Sequence, residues 1–240
     1  MITLKNVSKS YGVFKAVDNI NLEVKSGEIF GFLGPNGVGK TTTIKMITGI
    51  LEADKGEVLI DNIDINKKPI EAKKLFGFVP DSPDMFLKLR GVEYLNFICD
   101  IYDVDKNIRE ERINKLGEQF AMRGSLDDKI SSYSHGMRQK IIIMGVLLHE
   151  PKLWILDEPM TGLDPKSSHM VKSIMREHTD KGNTVFFSTH VLEVAERICD
   201  RVAIISDGKI LFSGTLDEMK RQFKKDGSLE NIFLELTDNE

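Results

Sequence analysis

Gly34, Pro35, Asn36, Gly37, Val38, Gly39, Lys40 and Thr41 follow the spacing G-x-x-x-x-G-K-[ST]. Residues of these types at this spacing form a loop whose backbone N–H groups cradle phosphate. Lys40 can bring an ammonium to the β- and γ-phosphates, and the Thr41 hydroxyl can ligate Mg²⁺. Much later, the apolar run Leu153-Trp154-Ile155-Leu156 ends in two carboxylates, Asp157 and Glu158. Asp157 is placed to hold Mg²⁺ or its waters, and Glu158 to orient and deprotonate an attacking water. A strand running into a solvated acidic turn would look the same in isolation; beside a phosphate loop the chemical reading is the stronger. Together the two motifs point to a bound nucleoside triphosphate, ATP or GTP.

Such a site needs a buried strand before the loop and a helix start after it. Glu28 to Leu33 supplies the strand, and Thr41 to Thr48, closed by Gly49, the helix. Further strands are predicted at Ile2–Val7, Ile20–Val24, Glu57–Ile60, Phe76–Val79, Leu153–Leu156, Thr184–Ser188, Val202–Ile205 and Ile210–Phe212. Helices are predicted after Pro69, over Pro165–His178 and over Val191–Cys199. Between Pro83 and Glu150 the pattern is helical: Gly91–Tyr102 with apolar residues at i, i+3, i+4 spacing, Ile108–Ala121, and a helix from Ser134 to His149. Alternating strands and helices predict an α/β fold with a mostly parallel sheet covered on both faces. The helical block reads as a lobe inserted into that layer. The expected organisation is one domain over 1–240, with a core of about 1–82 and 151–215, the lobe over about 83–150 and a helical tail over about 216–240.

The net charge of −4, from 33 basic and 37 acidic residues, argues against nucleic acid as the main partner. No apolar run approaches the ~18 residues of a membrane span, and the N-terminus alternates like a strand, unlike a signal peptide. The two cysteines, Cys99 and Cys199, are expected as buried thiols in a reducing cytoplasm.

Tyr133-Ser134-His135-Gly136-Met137-Arg138-Gln139 opens the last helix of the lobe. At this point the chain resembles the ATP-binding cassette (ABC) family, whose signature is Leu-Ser-Gly-Gly-Gln. Gly162-Leu163-Asp164 is similar to its D-loop, Ser188-Thr189-His190 to its switch histidine, and Tyr11 stands where an aromatic ring stacks on adenine. The resemblance runs from Met1 to about Gly214. It implies a P-loop NTPase fold of ABC type: a RecA-like α/β core, an antiparallel β subdomain and an inserted helical subdomain. It implies ATP as nucleotide and Mg²⁺ as metal, with Ala16 and Thr42 joining the phosphate loop in binding. It also implies a shared site, in which two nucleotide-binding domains, copies or paralogues, pack head to tail. Ser134, Gly136, Met137 and Asp164 of one would then meet the nucleotide held by the other. His190 has a second reading as a mere cap of the following helix, and Tyr11 as a turn aromatic. His149 and His178, at helix C-termini, are expected to sit there through the helix dipole.

Two departures matter. Asp81 stands where the family has Gln; its oxygen could likewise touch Mg²⁺ and the attacking water, with added negative charge. His135 and Met137 weaken the signature, and Met137 cannot close a capping box with Ser134, which must cap alone. Tyr-Ser-x-Gly-Met resembles the ATPases of ABC-2-type exporters. The resemblance therefore implies an ATPase subunit powering export through a separate permease chain, held at the inner face of the membrane by that partner. The alternative is a soluble ABC ATPase of a non-transport assembly. Phe86, Leu87 and Leu89, just after Asp81, are expected to line a groove for a helix of the membrane subunit. Ser228 to Leu236 reads as a short amphipathic helix, and Lys220 to Lys225 as a solvated basic face.

Overall fold

A computed structural model describes residues 1–223 and Phe233. Strands β1 (Ile2–Tyr11), β2 (Phe14–Val24), β3 (Ile29–Leu33), β4 (Lys55–Ile60), β5 (Ile63–Asp64), β6 (Phe76–Val79), β7 (Leu153–Leu156), β8 (Thr184–Thr189), β9 (Arg201–Ser206) and β10 (Lys209–Gly214) form two sheets. The helices are α1 (Lys40–Ile47), α2 (Pro69–Lys73), α3 (Gly91–Ile101), α4 (Lys106–Gln119), α5 (His135–Leu148), α6 (Pro165–Asp180), α7 (Leu192–Ile198) and α8 (Leu216–Gln222). The four-stranded sheet, in order β2-β1-β4-β5, is antiparallel. The six-stranded sheet, in order β10-β9-β3-β8-β7-β6, is parallel except for the edge strand β10.

The continuous apolar runs of the parallel strands split by the two-residue period of a strand. Phe30, Phe32, Leu153, Ile155 and Phe186 face α1 and the antiparallel sheet. Ile29, Trp154, Leu156, Val185 and Phe187 face α5, α6 and the helical lobe. A strand covered on both faces has no polar side, which is why these segments read as solid hydrophobic runs. Helix α5 is apolar over most of its circumference for the same reason. Ile141 to Val146 are buried between α3 and α4 on one side and β6 on the other.

The antiparallel hairpin extends further than its apolar pattern suggests. β1 runs on through Ser8–Tyr11 and β2 begins at Phe14, because register shifts after Leu4, Val7 and Lys9 break the alternation while pairing continues. β5 is too short to leave a periodic trace. The two cysteines are unpaired: Cys99 is buried, and Cys199 is only partly so, with its sulfur against Gly31. Lys220 and Arg221 lie exposed on α8. The predicted helix Ser228–Leu236 and Lys224–Lys225 fall outside the described residues, except that Phe233 is buried with Phe212 and Met219.

Candidate active site

The parallel register gathers the predicted groups at one edge. Leu33 pairs with Thr189, Phe187 with Leu156, and Leu156 with Val79. One residue beyond those positions lie Gly34, His190, Asp157 with Ser188, and Pro80, with Asp81 next. The C-terminal edge of a parallel sheet is where such folds bind ligands.

The phosphate loop connects β3 to α1. Gly39 takes φ +108°, and a Cβ there would stand 2.3 Å from the Ala16 carbonyl oxygen. Only glycine meets both demands. Ala16 thus acts as a backstop for the loop, while Tyr11 stands half exposed at the end of the hairpin. Helix α1 begins at Lys40, and its N-cap Gly39 has no side chain with which to cap the first N–H groups.

Lys40 is buried, its ammonium held by the carbonyls of Gly34 (2.8 Å) and Pro35 (2.9 Å). It also lies 3.5 Å from Oε1 of Glu158, an ionic contact longer than a good hydrogen bond. That oxygen is buried and has no hydrogen-bond partner among the described residues. Oε2 of the same carboxylate is 3.0 Å from Nδ1 of His190. Glu158 has φ +47°, a strained region for a residue with a side chain and one that recurs at functional sites.

Asp157 is 1% exposed and accepts from Ser188 Oγ at 2.5 Å and from the Thr41 hydroxyl. Ser188 in turn accepts the Glu158 N–H at 3.0 Å, so one hydroxyl ties both carboxylate residues to β8. Burial pushes the Asp157 carboxyl up, the nearby charges of Asp81 and Glu158 add to this, and the Ser188 and Thr41 hydrogen bonds oppose it. Ser188 was visible in the sequence only as a companion of His190; its role depends on the β7–β8 register.

A cleft of about 210 Å³ is lined by Asn36, Gly37, Lys40, Thr41, Asp81 and Glu158, with Gly39 and Thr42. Thr41, Asp157 and Asp81 thus offer a hydroxyl and carboxylates, the hard oxygen donors that suit Mg²⁺. Among the described residues no group of three or more His, Cys, Asp or Glu could hold a metal unaided.

Ser134, Gly136, Met137 and Asp164 gather elsewhere and none lines that cleft. Ser134 caps α5 alone, accepting the Met137 N–H at 3.3 Å. The His135 ring packs on Gly162, and Gly136 lies close to the Gly162 carbonyl. Asp164 caps α6 through Ser167, which brings its carboxyl down to about 2, and it faces Lys140 at 3.7 Å.

Two expectations are corrected. Leu87 and Leu89 turn into the lobe core, their carbonyls taking the N–H groups of Ser131 and Ile130. An apolar groove of about 360 Å³ is instead lined by Met85, Phe86, Phe78, Tyr94, Ile98 and their neighbours. Nor does a dipole account for His149 and His178. Burial pushes each imidazole down to about 4, leaving it neutral at pH 7. His149 stacks on Tyr102 at 3.7 Å, and His178 meets Trp154 edge-on.

The sequence pattern of the ABC transporter family matches residues 17–161. The linearmycin resistance ATP-binding protein LnrL of Bacillus subtilis (strain 168) is 34% identical over 219 residues, which is 91% of this chain and 70% of LnrL. A solved ATP-binding subunit of an ABC transporter superposes with TM-score 0.94 at 33% identity, covering 98% of this chain and 99% of that one. The cassette MJ0796, solved as a dimer in a post-hydrolysis state with ADP and Pi, superposes with TM-score 0.82 at 26% identity, over 90% of this chain and 99% of that one. With the fold, the phosphate loop and the paired carboxylates in place, the chain belongs to the ABC transporter family, as one of its ATP-binding, ATP-hydrolysing subunits.

Proposed function

We propose that this subunit powers export through a separate membrane protein, by closing on ATP as a head-to-tail dimer and opening after hydrolysis. The observation that carries this reading is the division of the site. The cleft gathers Lys40, Thr41, Asp81 and Glu158, while Ser134 and Gly136 sit at the N-terminus of α5, outside it. A helix N-terminus capped by one serine suits a phosphate oxygen, and the phosphate it meets must belong to a second chain. The dimeric ADP-and-Pi state of MJ0796 supports the arrangement.

In this reading the loop N–H groups and Lys40 bind the β/γ-phosphates, whose oxygens compete with the Gly34 and Pro35 carbonyls for the ammonium. Tyr11 stacks on adenine, and Ala16 backs the loop. Thr41 and Asp157, with Asp81, would hold Mg²⁺, which supplies charge neutralisation on the phosphates. The attacking water gives its proton to the carboxylate of Glu158 as its oxygen bonds to the γ-phosphorus. The bond to the β–γ bridging oxygen breaks, leaving ADP and phosphate. His190 at Oε2 and Lys40 at Oε1 orient the carboxylate for the water. Loss of the γ-phosphate contacts to Ser134 and Gly136 of the second chain then weakens the dimer.

No helix among the described residues is long and apolar enough to cross a membrane. We infer that transport uses a partner and that the Met85–Phe86 groove receives an apolar helix of it, holding the subunit peripherally at the inner face. Export is favoured by the Tyr-Ser-x-Gly-Met signature and by LnrL, a resistance protein. Turnover per chain should rise with protein concentration and saturate, as every site draws residues from two chains. Turnover independent of dilution would overturn the shared site.

A further inference from the structure

The segment from Asp81 to Arg90 touches three places. It begins in the nucleotide cleft at Asp81 and lines the apolar groove with Met85 and Phe86. Phe86 has φ +55°, rare for a bulky residue, and is kept there by ring contacts with Tyr94 and Phe97. The third contact is an ion pair: Arg138 Nη1 donates to Asp84 Oδ1 at 2.5 Å, across 54 positions of sequence.

Arg138 lies in the first turn of α5, where its N–H donates to the Ser134 carbonyl. Its Nη2 donates to the carbonyl of Ser131, in the strap that leads to Ser134. The same strap is laced to the segment by Ile130 N–H to Leu89 O and Ser131 N–H to Leu87 O. Arg138 is mostly covered, and its Nε is buried without a partner among the described residues. Covering a guanidinium while one donor goes unmet costs stability, and a lone ion pair near the surface returns little. What the guanidinium does is clamp the segment at Asp84 to the strap at Ser131.

We propose that Asp84 and Arg138 form a positioning pair that sets Ser134 against the nucleotide of the second chain. One continuous segment then fixes both Asp81, in the chain's own cleft, and the serine offered to its partner. The proposal rests on the two-chain site argued above. Neither residue touches the nucleotide; the pair acts through the strap 129–134.

The test uses the Glu158→Gln chain with Mg²⁺ and ATP, following dimerisation by sedimentation and single-chain nucleotide affinity by titration. Adding Arg138→Ala should weaken dimerisation about tenfold, the scale of a charge-assisted hydrogen bond, and leave single-chain nucleotide affinity unchanged. Asp84→Asn, at an exposed side chain whose loss the fold tolerates, should act in the same direction. The reversed pair Asp84→Arg with Arg138→Asp should recover most of the loss. Undiminished dimerisation in either single variant, or a reversed pair no better than Arg138→Ala, overturns the proposal. If Glu158→Gln itself stays monomeric, the shared site fails first and this proposal falls with it.

Discussion

Nδ1 of His190 lies 3.0 Å from Oε2 of Glu158, while Lys40 Nζ lies 3.5 Å from Oε1 of the same carboxylate. Three elements that meet only through strand register therefore converge on one side chain. Glu158→Gln keeps the shape and removes the basicity. It should cut turnover by ~10²–10⁴ and leave nucleotide affinity intact; steady-state ATPase and nucleotide titration check both. His190→Ala should lower turnover by ~10–10³ through a misaimed carboxylate, again at unchanged nucleotide affinity. Equal losses of affinity and turnover would place His190 in binding instead.

Gly39→Ala should abolish nucleotide binding. Its φ of +108° is closed to alanine, and the added Cβ would meet the Ala16 carbonyl at 2.3 Å. The loop must then shift from α1, and the phosphate N–H cradle with it. Isothermal titration with ATP, alongside a melting curve to show the rest of the fold intact, tests this.

Stability should fall between pH 6.5 and pH 4. His149 and His178 are held down to about 4 by burial, against 6.5 unfolded. In that window the unfolded chain binds protons that the folded chain refuses, so acid favours unfolding. The slope is at most ~1.4 kcal/mol per pH unit for each histidine. Asp157, pushed up by burial, works the other way, since its folded form takes a proton more readily. Urea denaturation across pH should show the decline, and His178→Gln should flatten it. A profile flat from pH 7 to 4.5 would contradict the buried neutral imidazoles.

Most of the layer was legible because both signals are local. The phosphate loop is a fixed spacing, and β3, β7 and β8 are apolar runs between turns. The pairing of Ser188 with Asp157 was not, since it depends on Leu156 meeting Phe187 across β7 and β8. The groove was misassigned at Leu87 and Leu89 because a left-handed Phe86 reverses which side chains face out, and nothing in a Phe-Leu-Lys-Leu run marks such a turn. The histidines were misread because sequence shows a helix end but not what covers it; Tyr102 and Trp154 do.

Met85→Glu places a charge in the groove wall, at a side chain about two-fifths exposed. ATPase turnover of the isolated chain should stay within about twofold, as expected of a surface change. The fraction of the protein recovered with membranes from its own cells should drop. A parallel loss of turnover would mean that the change disturbs the cleft through Asp81 and not a docking surface.

The division of the site between two chains is tested most directly by complementation. A Lys40→Ala chain retains Ser134, and a Ser134→Arg chain retains the phosphate loop; each alone should be inactive. Mixed in equal amounts, half the dimers carry one intact site, so about a quarter of wild-type ATPase should return. A mixture no more active than its separate components would contradict the shared site.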